Sequence, residues 1–311
     1  MKSQQLLVDI NDPGNFSFAA CLVFLGRSDK ENLHFIRNGM LEKLVVADSI
    51  PVLIRVSGVV GHQLSVEMLP VSFPELTEEV PVLTEKAIAY ITRYVTRWLH
   101  LDGSLQAFYN YADQNPLLAG LPERYKGLRL IGIPDLFETL CWTIIGQQIN
   151  LTFAYTLRQR LITHFGYSVT LDGHTYHLFP RPEVIAALTP EVLTAMQFSG
   201  SKARYLIATA QEIVNGTFSM EALDQMDYQQ AKERLLALKG IGNWSANYIL
   251  MKYGRFPEAL PLEDAGLHNA IKGRLQLEAK PTAAELRAIT GIWGEYAAYA
   301  TFYLWRTLLP Q

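Results

Sequence analysis

The chain has 311 residues, 49% of them hydrophobic and 18% charged, with a formal net charge of −3 and an isoelectric point near 6.2. That length is enough for two domains, each with its own core, and the composition excludes disordered and collagen-like chains. No apolar run approaches the ~18–20 residues needed to cross a bilayer, and the N-terminus lacks the apolar stretch of a signal peptide. The two cysteines, Cys21 and Cys141, sit far apart in apolar surroundings. They read as buried thiols of a reducing compartment and exclude a four-cysteine iron–sulfur cluster.

From the N-terminus, short runs rich in Val, Leu and Ile (Leu6–Ile10, Ala19–Leu25, Leu44–Val46, Pro51–Val60 and Gln63–Leu69) alternate with turn residues such as Asp12-Pro13-Gly14-Asn15, Gly58 and Gly61. They predict strands of one antiparallel sheet. An acidic, proline-containing connector follows from Phe73 to Glu85. Ile88, Ile91, Tyr94, Val95 and Trp98 then form a helical stripe over Lys86–His100.

Beyond Asp102-Gly103 the pattern is helical almost to the end. Helices are predicted over Phe137–Ile145 and Phe153–Phe165, flanking Gly146-Gln147-Gln148-Ile149-Asn150, with a β-like insert at His174–Phe179. Four short helices follow over Pro182–Leu188, Pro190–Gln197, Lys202–Asn215 and Ser219–Asp224, separated by Gly, Pro or Ser signals. The series closes with Tyr228–Leu238, Asn243–Tyr253, Leu267–Gln276, Ala283–Ile289 and Tyr296–Leu308. The expectation is an α+β chain, with a β-containing N-terminal domain (1–112) followed by an all-α domain (113–311).

The stretch Leu238-Lys239-Gly240-Ile241-Gly242-Asn243-Trp244-Ser245 lies between two predicted helices. Gly240 and Gly242 free the backbone for positive φ and close approach. The amides from Ile241 to Ser245 open the second helix, where the dipole is positive, which makes a phosphate site. Taken alone, such a hairpin is equally a plain turn. Three features add to it. Trp244, Tyr248 and Met251 recur at i, i+4, i+7, so an aromatic face begins at the hairpin. Glu263 and Asp264 stand just ahead of a helix, as a cap or as an acid able to stabilise a cation. Trp305 lies on a C-terminal helix that can return to the same place. Local charge is modestly basic, with eight Lys/Arg against five Asp/Glu over residues 231–280.

Leu238–Tyr248, followed by Pro261-Leu262-Glu263-Asp264, closely resembles the helix-hairpin-helix Gly-Pro-Asp superfamily of base-excision DNA glycosylases, and within it the bacterial DNA-3-methyladenine glycosylase II type. The likeness runs from about Gly127 to Pro310 and more weakly to Asn15-Phe16-Ser17-Phe18. The resemblance implies double-stranded damaged DNA as partner and a base flipped from the stack into a pocket. Asp264 would be the catalytic group, stabilising the oxocarbenium-like sugar as the N-glycosidic bond breaks. Trp244, Tyr248 and Trp305 would form the base pocket with Ala265 and Gly266, small residues that predict a roomy site, and with Leu22 from the N-terminal domain. Gly240, Ile241, Gly242, Trp244 and Ser245 would hold the DNA backbone, and Gln148 or Ile149 would serve as the wedge. Bifunctional members carry a lysine where Trp244 stands, so a monofunctional enzyme is implied. No cofactor is expected beyond a structural monovalent cation at the hairpin carbonyls near Leu238, as in relatives. The scattered histidines offer no metal-ligand spacing. The implied setting is a cytoplasmic, nucleoid-associated monomer with no membrane partner. Two rival readings stay open: a non-catalytic helix-hairpin-helix DNA-binding protein, and a glycosylase for deaminated or oxidised bases.

Overall fold

A computed structural model of the chain describes residues 3–72 and 82–310. Residues 73–81, most of the expected acidic connector, lie outside the described residues.

The N-terminal lobe is built on five antiparallel strands, β1 (Gln4–Asp9), β2 (His34–Arg37), β3 (Met40–Ala47), β4 (Ile50–Val60) and β5 (Gln63–Pro70), in the order β1-β5-β4-β3-β2. Alternation assigns the two faces. Val45, Val52, Ile54, Val66 and Met68 enter the main core. Leu44, Leu53 and Leu69 point the other way, into a second, smaller cluster. The run Ala19–Leu25 departs from expectation, because it is a helix, α1 (Phe18–Leu25), not a strand. Its eight residues, FAACLVFL, are apolar all round, so their sequence carries no period to separate buried helix from buried strand. The deciding signal is Ser17, whose side chain accepts from the Ala20 amide and caps the first turn.

Helix α2 (Glu85–Leu99) lays Ile91, Val95 and Trp98 on the core. Two helices that the patterning missed, α3 (Gln106–Gln114) and α4 (Leu121–Arg124), lead into α5 (Leu136–Gly146) and α6 (Leu151–Phe165). The division expected at residue 112 falls inside α3. One apolar cluster runs unbroken from Val8 to Leu304 across it, so the lobes share a core. The β-like insert is a hairpin, β6 (Ser168–Leu171) and β7 (His174–His177), which folds back on the outer face of the sheet. There Tyr176 donates to Glu42 Oε2 (2.8 Å), and Glu42 also pairs with Arg37 and Arg55.

The lobes are also joined by buried charge. Arg158 of α6 pairs with Glu31 and with Glu138 of α5, each at 2.7 Å, and Lys43 of β3 lies 3.9 Å from Glu138. Burying an isolated charge costs several kcal/mol, so each of these groups needs its partners.

The remaining helices are α7 (Pro182–Ala186), α8 (Pro190–Ala195), α9 (Gly200–Val214), α10 (Met220–Asp224), α11 (Tyr228–Leu236), α12 (Asn243–Ile249), α13 (Ala265–Arg274), α14 (Ala283–Thr290) and α15 (Ala297–Arg306). A π-helical turn over Leu250–Gly254 prolongs α12. No helix among the described residues is long and apolar enough to cross a membrane.

Candidate active site

The hairpin is assembled first. Asp227 and Gln230 form a capping box that starts α11. After α11 the chain turns at Leu238–Gly242, and the Ile241 amide bonds back to Leu238 O (3.1 Å). Gly240 takes φ +89°, and a Cβ there would overlap the Tyr205 ring of α9. Its glycine is required twice over. Gly242 differs from expectation. Its φ is −94°, an ordinary value, and the space beside its α-carbon is open. No side chain caps α12 at Gly242, and the first intrahelical bond is Ala246 N to Gly242 O (2.9 Å). The amides of Gly242 to Ser245 are therefore the ones a helix start leaves without internal acceptors, while that of Ile241 is used in the turn.

Asp264 caps α13, its Oδ1 accepting from Leu267 N at 2.7 Å. The cap and the candidate acid are thus the same carboxylate. Trp244 Nε1 donates to Oδ2 (3.0 Å) and Trp305 Nε1 donates to Oδ1 (2.8 Å). Oδ1 carries two bonds and Oδ2 one, which leaves Oδ2 the oxygen with spare acceptor capacity. The segment before it is fixed on both sides. His268 Nε2 lies 2.7 Å from Leu262 O, and Asn243 Nδ2 donates to Glu263 Oε1 (2.7 Å), tying the acidic turn to the hairpin.

Behind the acid, Trp244, Tyr248 and Trp305 stand in series, with centroids 5.6 Å and 5.9 Å apart. The Tyr248 hydroxyl accepts from Trp142 Nε1 (3.0 Å), and burial pushes its phenol up to about 12, with the Arg27 guanidinium pulling the other way. Ala265 is exposed and Gly266 half-buried. The room expected at Gly266 is occupied: a Cβ there would lie 2.9 Å from Asp264 Oδ1 and 3.3 Å from Trp305 Nε1. The missing side chain admits the Trp305 indole to the acid. Leu22 is half-buried on α1, which packs on α15 through Phe24 and Phe302 (4.4 Å), one turn from Trp305.

The wedge loop lies against the hairpin. Gln148 is exposed in the left-handed region (φ +56°), and Ile149 is half-buried beside it. Gln147 turns inward instead, its Nε2 donating to Gly240 O (2.8 Å) and Ser245 Oγ (3.1 Å). Gly146 lies against the Trp244 indole. Trp142 is the site residue that sequence reasoning passed over, since nothing in its local sequence points to Tyr248. Among the described residues, no three His, Cys, Asp or Glu side chains gather as metal ligands.

A glycine hairpin facing an acid beside a row of three aromatic rings, carried on a helical lobe fused to a sheet, defines a helix-hairpin-helix protein. Comparison with known proteins makes the class specific. A family profile described as "HhH-GPD superfamily base excision DNA repair protein" matches residues 141–295. A "DNA-3-methyladenine glycosylase" of Bacillus subtilis is 38% identical over 97% of this chain and 97% of its own length. The fold is shared with a 3-methyladenine DNA-glycosylase from Archaeoglobus fulgidus (TM-score 0.79, 20% identity, 97% of each chain). It is shared too with an 8-oxoguanine glycosylase/lyase of Clostridium acetobutylicum in complex with double-stranded DNA (TM-score 0.69, 17% identity, 94% of this chain and 91% of that one). The chain belongs to the HhH-GPD superfamily of base excision DNA repair proteins.

Proposed function

We propose that the protein is a monofunctional DNA glycosylase that flips alkylated purines of the 3-methyladenine type out of duplex DNA and hydrolyses their N-glycosidic bond. The observation that carries this reading is the Asp264 carboxylate, held by the indole N–H groups of Trp244 and Trp305 at the edge of an aromatic row. Breaking the bond from C1′ to the base leaves positive charge on the sugar. A fixed carboxylate with a free lone pair on Oδ2 stabilises that charge with no reorganisation at the moment of reaction. The same oxygen is able to orient the water that adds to C1′. N-alkylated purines carry a positive charge, and each aromatic face of the row favours them by ~0.5–2 kcal/mol.

The amides of Gly242 to Ser245 suit a backbone phosphate of the strand being read, with Gly240 and Ile241 shaping the turn. Gln148, exposed at the tip of its loop, suits the gap left by the flipped base, with Ile149 beside it. Trp244 offers no amine for a Schiff base, so the product is an abasic site in an unbroken strand. A monovalent cation at the carbonyls near Leu238 would steady the turn without entering the chemistry. The reading goes with a cytoplasmic monomer acting on nucleoid DNA.

The test is release of 3-methyladenine and 7-methylguanine from alkylated duplex DNA, with Asp264→Asn as control. Base release should fall at least 100-fold in the variant, the scale of losing a preorganised electrostatic group, while DNA binding persists. Equal release by both proteins would make Asp264 a cap only. DNA binding with no base release by the unaltered protein would favour the non-catalytic alternative.

A further inference from the structure

Between the lobes lies a cavity of about 50 Å³ whose walls include neither Asp264 nor the indoles that hold it. Four positive side chains line it, Arg27, Lys43, Arg158 and Lys252, against two carboxylates, Glu31 and Glu138. Both carboxylates are engaged elsewhere: Arg158 pairs with each at 2.7 Å, and Lys43 lies 3.9 Å from Glu138. His34 adds no charge near neutral pH, because burial holds it at about 4. That leaves Arg27, which follows α1, and Lys252, on the π-helical turn after α12; no ion pair among the described residues includes either. Lys252 is only 3% exposed. Its Nζ donates to Ile131 O and lies 5.3 Å and 5.0 Å from the ring centroids of Phe24 and Phe302. Arg27 flanks the same Phe24 ring, with Cζ 4.4 Å from its centroid and Nη1 donating to Phe24 O (3.0 Å). One carbonyl apiece leaves most of the donors of both cations over.

A buried cation without a counter-charge is costly, and two of them around one ring also repel each other. Burial first, and then the charge of Arg27, push the Lys252 amine well below its ordinary range. We propose that this cavity is an anion site, in which Lys252 Nζ and the Arg27 guanidinium together hold one small monovalent inorganic anion of the halide class. The volume fits that class, since about 50 Å³ takes a few water molecules and so one small ion, but no nucleotide. The anion supplies the charge that Glu31 and Glu138, committed to Arg158, do not. It keeps Lys252 an ammonium and bridges the lobes, because Arg27 comes from the N-terminal lobe and Lys252 from the helical one. The site stands apart from the glycosylase reading and does not depend on it.

The experiment compares thermal melts of the full chain in sodium chloride, sodium bromide and sodium gluconate at one ionic strength and pH, so that only the anion changes. Chloride and bromide should raise the Tm of the unaltered protein by about 2 °C over gluconate, whose anion is too large to enter, as expected for an ion present at a few times its Kd. Arg27→Met, at a half-buried position, should lose at least half of that difference, and Lys252→Met all of it. Chloride-35 NMR reads the binding directly: the unaltered protein should broaden the chloride line, and Arg27→Met should broaden it less. Equal Tm values in chloride and gluconate for the unaltered protein overturn the proposal. So does a chloride effect that is the same size in Arg27→Met, which would make it a general salt effect on the surface. Should Lys252→Met fail to fold, Arg27→Met and the NMR line decide the matter alone. Base release plays no part in these readouts, so their failure leaves the glycosylase reading untouched.

Discussion

Gly266→Ala adds a single methyl group to the site, and the structure fixes where it goes. The new Cβ would sit 2.9 Å from Asp264 Oδ1 and 3.3 Å from both Cδ1 and Nε1 of Trp305. Carbon contacts settle at about 3.5–4.0 Å, so the indole and the carboxylate must part by roughly half an ångström. The Trp305 to Asp264 bond, now 2.8 Å, would then stretch beyond a good N–H···O distance. A hydrogen bond to a charged group is worth about 1.5–3 kcal/mol, and each ~1.4 kcal/mol is tenfold in rate. If Trp305 positions the acid for the transition state, single-turnover release of 7-methylguanine falls about 10- to 100-fold. Stability should move the other way or hardly at all, because Gly→Ala near a helix start gains about 0.4–1 kcal/mol from the unfolded chain against the local crowding. The assay pairs base-release kinetics with a urea melt of the same preparation. A variant that keeps the full rate within twofold would refute the idea that the indole bond matters to catalysis. A variant that loses stability and rate together would show a packing defect instead.

The other predictions concern the hairpin, the joint between the lobes and the chemistry of the product. Gln147→Ala removes two bonds to the hairpin, each worth about 1 kcal/mol, so affinity for duplex DNA holding an abasic-site analogue should fall by up to about 30-fold, read by fluorescence anisotropy. Unchanged binding would separate the wedge loop from the phosphate grip. Arg158→Met leaves Glu31 and Glu138 buried without their partner and should cost about 3–5 kcal/mol of stability by urea denaturation. His34 is held at about 4 by burial, against an ordinary 6.5, near Glu31, Lys43 and Arg158. Below pH 6.5 the unfolded chain takes up a proton that the folded chain refuses, so this histidine's contribution shrinks as pH falls from 6.5 toward 4. Asp135, raised to about 6 by burial, acts in the opposite sense, since it loses stability as pH rises from 3.8 to 6. His34→Gln should flatten the fall in urea midpoint between pH 7 and pH 5; an unaltered slope would assign the acid sensitivity elsewhere. Borohydride added during the reaction should trap no covalent protein–DNA adduct, and a trapped adduct would expose an amine nucleophile.

What could be read from the sequence was what lies close together along it. Gly240, Trp244, Tyr248 and Asp264 fall within 25 residues, and helical spacing alone predicts that the two aromatics share a face. Trp305 could be set on a C-terminal helix able to return to the site, but its bond to Asp264 Oδ1, 41 positions away, was not legible. The partners that complete the site are distant: Gln147 meets Gly240 across 93 positions, and Trp142 meets Tyr248 across 106. No periodicity encodes such pairs. Helix α1 was misread for a different reason, since all eight of its residues are apolar, the exposed Ala19 and Val23 included, and that erased the pattern that separates helix from strand. Gly266 illustrates a third limit. Its small size was legible, but whether that leaves a hole or admits a neighbour depends on Trp305, 39 residues away.

The β6–β7 hairpin has a consequence for how DNA is met. The sheet is held on one face by α1 and α2 and on the other by Tyr176 and its neighbours, while Arg158 locks the lobes between them. A lobe gripped from both sides cannot swing over its ligand without breaking buried charge pairs. If the protein acts on damaged duplexes as proposed, the adjustment on binding falls on the nucleic acid, whose weakened steps at a damaged base bend and unstack more cheaply than sound ones. Searching would then be a mechanical trial, in which a stiff template is pressed against a deformable polymer and stops where the polymer gives way.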